Sequence, residues 1–198
     1  MRKPTMRPAL KTAPGALPRR RAGLLLAFLS TSFAGMAAAE PSNISPAGFD
    51  ITIRKQLRTP LAQAWPAIGR IGQWWSSSHS WSGSASNMTL DLNAGGCFCE
   101  RWGDGNAVEH GRVVAVRRSE KEALVRLQAS LGPFQEMPVA GVLSFIVSAA
   151  ENGSTLTVTY RLRGAADAGL DKAASGVDQV IAQQADRLAR LIDTGKAE

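Results

Sequence analysis

Seven segments of the chain read as extended strands, and three of them alternate apolar and polar residues with a period of two. In residues 49–58, Phe49, Ile51, Ile53 and Lys55 fall on one face, and Asp50, Thr52 and Arg54 on the other. Residues 87–93 bring Met88, Leu90 and Leu92 together. Further strands are expected over 97–102, 107–118, 123–131, 139–149 and 155–162. In the last, Leu156, Val158, Tyr160 and Leu162 share a face, as a sheet covered on one side requires. Two segments have helical spacing instead. Leu61, Ala64, Trp65, Ile68 and Ile71 form one short apolar face. Leu170, Ala173, Val177, Val180, Ile181, Leu188, Leu191 and Ile192 form a longer stripe over 170–194, opposite Lys172, Gln179, Gln183, Asp186, Arg190 and Asp193.

Punctuation supports these boundaries. Thr59-Pro60 offers an N-cap and a proline at the first helical position. Pro66 predicts a kink or a late start in that helix. Gly103-Asp104-Gly105-Asn106 predicts a hairpin with Asp104-Gly105 as its two central residues. The order is strand, helix, loop, six strands and a long helix. That segregation gives an α+β domain, with one curved antiparallel sheet of about seven strands around a C-terminal helix. A gap between such a sheet and its helix is where a small ligand sits.

Charge changes the picture through its position. The chain has 198 residues, 23 Lys+Arg and 16 Asp+Glu, for a net charge of +7. Seven of the basic residues and none of the acidic ones lie in residues 1–39. The remainder is neutral overall, so the composition offers nothing to neutralise phosphates, and nucleic acid is not expected as a partner. The leader ends its basic stretch at Arg19-Arg20-Arg21, continues through an apolar core around Leu24-Leu25-Leu26, and reaches Ala37-Ala38-Ala39. This is the pattern of a cleaved signal peptide over 1–39, and the Sec route fits better than the twin-arginine route. A periplasmic or secreted protein follows, with no stable membrane span once the signal is removed. Residues 40–48 read as a tether and 49–194 as the domain.

The Asp104-Gly105 hairpin brings the ionisable candidates together. Its register sets Cys97 opposite Arg112, Cys99 opposite His110 and Glu100 opposite Glu109. Cys97 and Cys99 stand two apart in a strand and share a face. In an exported chain they suggest a disulfide, but a fully extended strand holds such Cα atoms ~6.5–7 Å apart, so the bridge would be strained. With His110 on the same face, and His79 from the preceding loop, the thiols would suit Cu(I) or Zn(II). As small buried hydrophobes beside a hydrogen-bonded histidine they would need no ion, and no metal or other cofactor is favoured. Glu100 and Glu109, facing each other, would perturb one another and supply an acid or base; as solvated acids they would not. Glu100, Glu109 and His79 are therefore the catalytic candidates. The larger apolar groups Phe98 and Trp102 favour the Glu100 face as the one meeting the interior. A phosphate-binding glycine loop, a nucleophilic serine elbow and H-E-x-x-H are all absent.

Several motifs carry a resemblance. These are Gln73-Trp74-Trp75-Ser76-Ser77 with His79, Leu90-Asp91-Leu92-Asn93-Ala94-Gly95-Gly96, and Cys97-Phe98-Cys99-Glu100. Leu131-Gly132-Pro133-Phe134-Gln135 and Tyr160-Arg161-Leu162-Arg163-Gly164 complete the set. From Phe49 to about Leu191 the chain resembles the START-like, or SRPBCC, polyketide cyclase-like superfamily. It is most similar there to the bacterial branch named for a heat-shock ATPase activator. The resemblance implies a helix-grip fold shared by lipid carriers, ligand binders, aromatase/cyclases and co-chaperone domains. The first expectation is a binder of a small apolar or aromatic molecule, contacted by Trp75, Trp81, Phe98, Glu100, Trp102 and Phe134. A cyclase- or hydrolase-like enzyme is the second, and an envelope protein-interaction module, its protein partner unspecified, is the third. Non-enzymatic binding is preferred over catalysis.

Overall fold

The computed structural model describes residues 41–198. The signal-peptide reading falls on residues 1–39 and lies outside them. Eight strands follow in chain order: β1 (Ser42–Ser45), β2 (Gly48–Leu57), β3 (Met88–Leu90), β4 (Cys97–Trp102), β5 (Asn106–Arg118), β6 (Glu122–Gln128), β7 (Ala140–Ala150) and β8 (Gly153–Arg163). Three α-helices accompany them: α1 (Leu61–Gly69), α2 (Ile71–Trp74) and α3 (Ala174–Thr194). The strands form one antiparallel sheet in the order β1-β2-β8-β7-β6-β5-β4-β3. With α3 held against it, this is an α+β helix-grip architecture.

The eighth strand is the segment expected to be a tether. Ser42 pairs with Asp50 and Ser45 with Gly48, so the chain enters the domain as an edge strand. Its side chains are all exposed, so no buried face produced an apolar alternation there.

The first long strand pairs with the last. β2 runs against β8 from Gly48 opposite Arg163 to Leu57 opposite Ser154. The alternation works as the sequence predicts: Phe49, Ile51 and Ile53 are buried, as are Leu156, Val158, Tyr160 and Leu162. Each such side chain contributes roughly 1.5–3 kcal/mol by leaving water. Lys55 falls on this apolar face because it reaches the helix, where its Nζ lies 2.6 Å from the Asp186 carboxylate. α3 lies over β2 and β8 and presents Ile181, Ala185, Leu188 and Leu191 to the sheet. It begins later than the stripe suggests, because residues 170–172 form a separate 3-10 turn, and it ends where Gly195 adopts φ 79°.

The start of α1 differs from the expected cap. Pro60, not Thr59, occupies the N-cap position, and no side chain caps the helix. Thr59 is otherwise engaged: its hydroxyl donates to Asp193 Oδ1 of α3 at 2.9 Å. The same carboxylate accepts the backbone N–H groups of Arg58 and Thr59, each at 3.1 Å. α1 also runs through Pro66 without a late start. Pro66 and Ala62 both face solvent, so the carbonyl that the proline cannot engage is able to reach water. The helix stops three residues later and the chain turns at Arg70 into α2.

Asp193 thus fastens the end of α3 to the junction between β2 and α1. Burial pushes its carboxyl up, but the bonds from Arg58 and Thr59 outweigh that and hold it below the usual range. Asp193→Ala should lower unfolding free energy by about 2 kcal/mol at neutral pH in urea titrations. The folded-state value is depressed, so this contribution is present above the ordinary carboxylate range and is lost as pH falls through the folded value. The gap between wild type and variant should therefore close in acid.

Candidate functional site

A cavity of about 500 Å³ opens between the sheet and the first half of α3. α3 forms one wall with Ala173, Gly176, Val177, Val180 and Ile181. The turn at 131–134 supplies a second wall through Leu131, Pro133 and Phe134. Trp75, His79, Ser80 and Trp81 come from the loop after α2, and His110 comes from the sheet. Side-chain bonds set these positions. The Trp75 indole N–H donates to the His79 carbonyl at 2.9 Å. Gln184 of α3 is buried, and its Oε1 accepts the Ser76 N–H at 2.8 Å. Arg187 Nε donates to the Trp74 carbonyl at 2.7 Å. The second half of the helix thereby holds the loop that forms the rim, while Trp81 remains 47% exposed there.

The hairpin of β4 and β5 determines which ionisable groups meet. Trp102 pairs with Asn106, so the turn has three central residues, Gly103 to Gly105, rather than two. Gly103 and Gly105 both adopt positive φ, 51° and 85°, which favours glycine. Glu100 consequently faces Val108, and Cys99 faces Glu109. Phe98 then pairs with Gly111, which leaves His110 as an extra residue in β5. This β-bulge turns His110 inward, beside Glu100 and Phe98, and leaves Glu109 on the outside. Gly111 is required for the close approach, since a Cβ there would lie 2.7 Å from the Cβ of Ala129.

The bulge replaces the expected Glu100/Glu109 pair with Glu100 and His110. Glu100 is 0% exposed and His110 only 5%. His110 Nε2 lies 2.9 Å from Glu100 Oε2. The carboxylate also accepts the Ser82 N–H at 2.6 Å and the Trp81 N–H at 3.1 Å. Burial pushes Glu100 up, but these bonds outweigh it and hold the carboxyl below the usual range. Burial likewise pushes His110 below its ordinary value, against the pull of Glu100. At neutral pH the pair is a carboxylate and a neutral imidazole. The shared proton sits on Nε2, because the ionised carboxylate is only an acceptor. The His110 ring also stacks on Phe98, with centroids 4.7 Å apart, and Phe98 meets Trp75 edge-on.

The remaining candidates separate accordingly. Trp75, Trp81 and Phe134 line the cavity, as does His79. Phe98 and Glu100 lie behind that lining, and Trp102 is half-buried outside it. Glu109 is a surface residue held by Arg112, so it faces no catalytic partner in the cavity. Cys97 and Cys99 are joined as a disulfide with Cα atoms 5.3 Å apart, closer than a fully extended strand allows. Their sulfurs and the Glu109 carboxylate lie within 4.8 Å of one another, but the bridge leaves no free thiolate. His110 is on the other face, so the alternative of two thiols and an imidazole around one ion, not the favoured reading, does not assemble. The cavity role of His110 and of Gly176 was not foreseen. The signal for the first was Gly111, a glycine within an otherwise regular strand.

The helix-grip class finds its relatives among solved structures. DynU16, from the dynemicin biosynthetic locus, aligns with a TM-score of 0.51 and 18% identity, over 75% of this chain and 48% of its own. This chain therefore spans about half the length of DynU16. A protein of unknown function from Staphylococcus aureus, SA2116, aligns with a TM-score of 0.51 and 14% identity, over 75% and 95% of the two chains. The di-domain ARO/CYC StfQ of the steffimycin biosynthetic pathway gives 0.48 and 11%, over 76% and 52%. No protein-family profile and no curated protein matches the chain. The first two likenesses establish the fold; the expected heat-shock activator branch has no support among these comparisons.

Glu100→Gln should lower unfolding free energy by about 2–3 kcal/mol, since an amide cannot accept at both ends of the group. The folded-state values of Glu100 and His110 are both depressed, so the unfolded chain binds more protons and stability is lost as pH falls. The His110 part is lost first, below the ordinary histidine range, and the Glu100 part below the carboxylate range. Denaturation between pH 7 and pH 3 should show two regions of loss in wild type, and the lower one, to which Asp193 and Asp50 also contribute, should be shallower in the variant.

Proposed function

We propose that the protein is an exported binder of a small apolar or aromatic molecule, held between the sheet and α3. The cavity carries this reading. It is walled by valine, isoleucine, leucine and aromatic side chains, with few polar groups, and its volume falls in the range that suits a small organic ligand. The leader and the disulfide support export, because such bridges persist in oxidising compartments. Among the described residues, no helix is long and apolar enough to cross a membrane. A protein-interaction module was expected to lack a cavity, and that reading is not carried forward.

One observation favours catalysis as a second reading. His110, backed by the Glu100 carboxylate, is arranged as a histidine general base would be, at the wall of an apolar cavity. In this reading His110 carries the acid/base role and Glu100 orients it. His79 remains a candidate at the rim.

Native mass spectrometry of the full chain expressed with its leader and purified from the periplasm tests the first reading. The protein should begin at Glu40, weigh two hydrogens less than the reduced chain, and carry an organic mass that denaturation releases. Val180→Trp fills the cavity from the helix side and should remove that mass while the fold is kept. An added mass unaffected by Val180→Trp would refute binding in this cavity.

A further inference from the structure

We propose that the cavity selects apolar ring compounds bearing one neutral hydroxyl, and that this hydroxyl donates to Nδ1 of His110. The proposal deepens the ligand-binding reading and rests on it. Three residues with polar side chains other than tryptophan line the cavity: His79, Ser80 and His110. Ser80 already spends its hydroxyl proton on the Ser77 carbonyl, at 2.9 Å. His79 is exposed at the rim. His110 is the buried one, and its orientation is set from behind.

Glu100 is what sets it. The carboxylate has no proton to give and accepts a hydrogen bond from Nε2–H, so the neutral ring carries its lone pair on Nδ1. Nδ1 has no hydrogen-bond partner among the described residues. A neutral imidazole at the wall of an apolar cavity offers this acceptor to a ligand, and a ligand that brings a donor gains a hydrogen bond there. The phenyl ring of Phe98 stacks on the imidazole and limits its rotation, so the lone pair keeps its direction. The charge of Glu100 adds a second criterion. A ligand carboxylate or phenolate would place a second negative charge beside a buried first one, with no lysine or arginine among the residues lining the cavity. A neutral phenol-like hydroxyl satisfies both conditions.

Two probes of nearly equal shape test this: 2-naphthol and 2-methylnaphthalene, titrated at pH 7 and followed through tryptophan quenching. Without an acceptor, the hydroxyl compound must bind more weakly, because a buried hydroxyl loses its water. With the acceptor, wild type should bind 2-naphthol at least as tightly as 2-methylnaphthalene. His110→Leu should shift the ratio of the two dissociation constants about tenfold toward the methyl compound. His110→Gln keeps an N–H for Glu100 and an oxygen for the ligand, and should hold the ratio within about threefold of wild type. An unchanged ratio in His110→Leu overturns the proposal. Should that variant fail to fold, a wild type that prefers 2-methylnaphthalene by about tenfold overturns it alone. Binding of neither probe would overturn the apolar-cavity reading itself, a result distinct from binding without discrimination.

Discussion

A carboxylate cannot remain ionised inside a sheet unless donors surround it. Glu100 meets that condition with two backbone N–H groups from the loop after α2 and one imidazole from β5. These three bonds join parts of the molecule that pairing within the sheet leaves independent. The loop bearing Trp75, His79 and Trp81 is drawn onto β4, the bulge in β5 gains a partner for its displaced residue, and the ring of Phe98 is trapped between them. The loop that carries Trp81 therefore answers to this buried charge as well as to Gln184 and Arg187 of α3.

The fold was legible because its strands are covered on one face. The pairing of β2 with β8 puts Ile51 beside Tyr160 and Ile53 beside Val158, and the two periodicities can be read directly from the chain. The α3 stripe was equally plain. What escaped lay where periodicity carries no information. β1 buries nothing, so it left no pattern. Thr59 resembles a cap in sequence, yet its hydroxyl is taken by Asp193, more than a hundred residues away. Local propensity describes what a residue can do nearby, and a distant partner can use it otherwise.

The site was less legible, for a more specific reason. Counting back from a two-residue turn gives Cys97 opposite Arg112, which is how they stand. The count fails in between, because a longer turn displaces the register by one and the bulge at His110 restores it. The two deviations cancel at Cys97 and Phe98 but leave the stretch between the turn and the bulge, four of the six β4 residues, displaced by one. That stretch contains Glu109 and His110. The aromatic candidates were more tractable, since Trp75, Trp81 and Phe134 fall in segments whose serine, glycine and proline content marks them as loops over the open end of the sheet. Trp102 shares the face of Phe98 and Glu100 but lies too near the hairpin tip to reach the same space.

α3 has two different halves. From Ile181 onward it is fastened by Gln184 and Arg187 to Ser76 and Trp74, and by Asp193 to Arg58 and Thr59. Before Ile181 it meets the cavity through Gly176, Val177 and Val180. The bulge at His110 has a consequence of another kind. A substitution can change which group occupies a position, but insertion of one residue into a strand exchanges the inner and outer members of a whole segment. In a lineage of such domains, gain or loss of a single codon in β5 would move an imidazole between solvent and interior while every neighbouring residue kept its identity. Descent traced by residue identity alone would miss that event, and alignments that close this gap would pair His110 with residues that never faced the cavity.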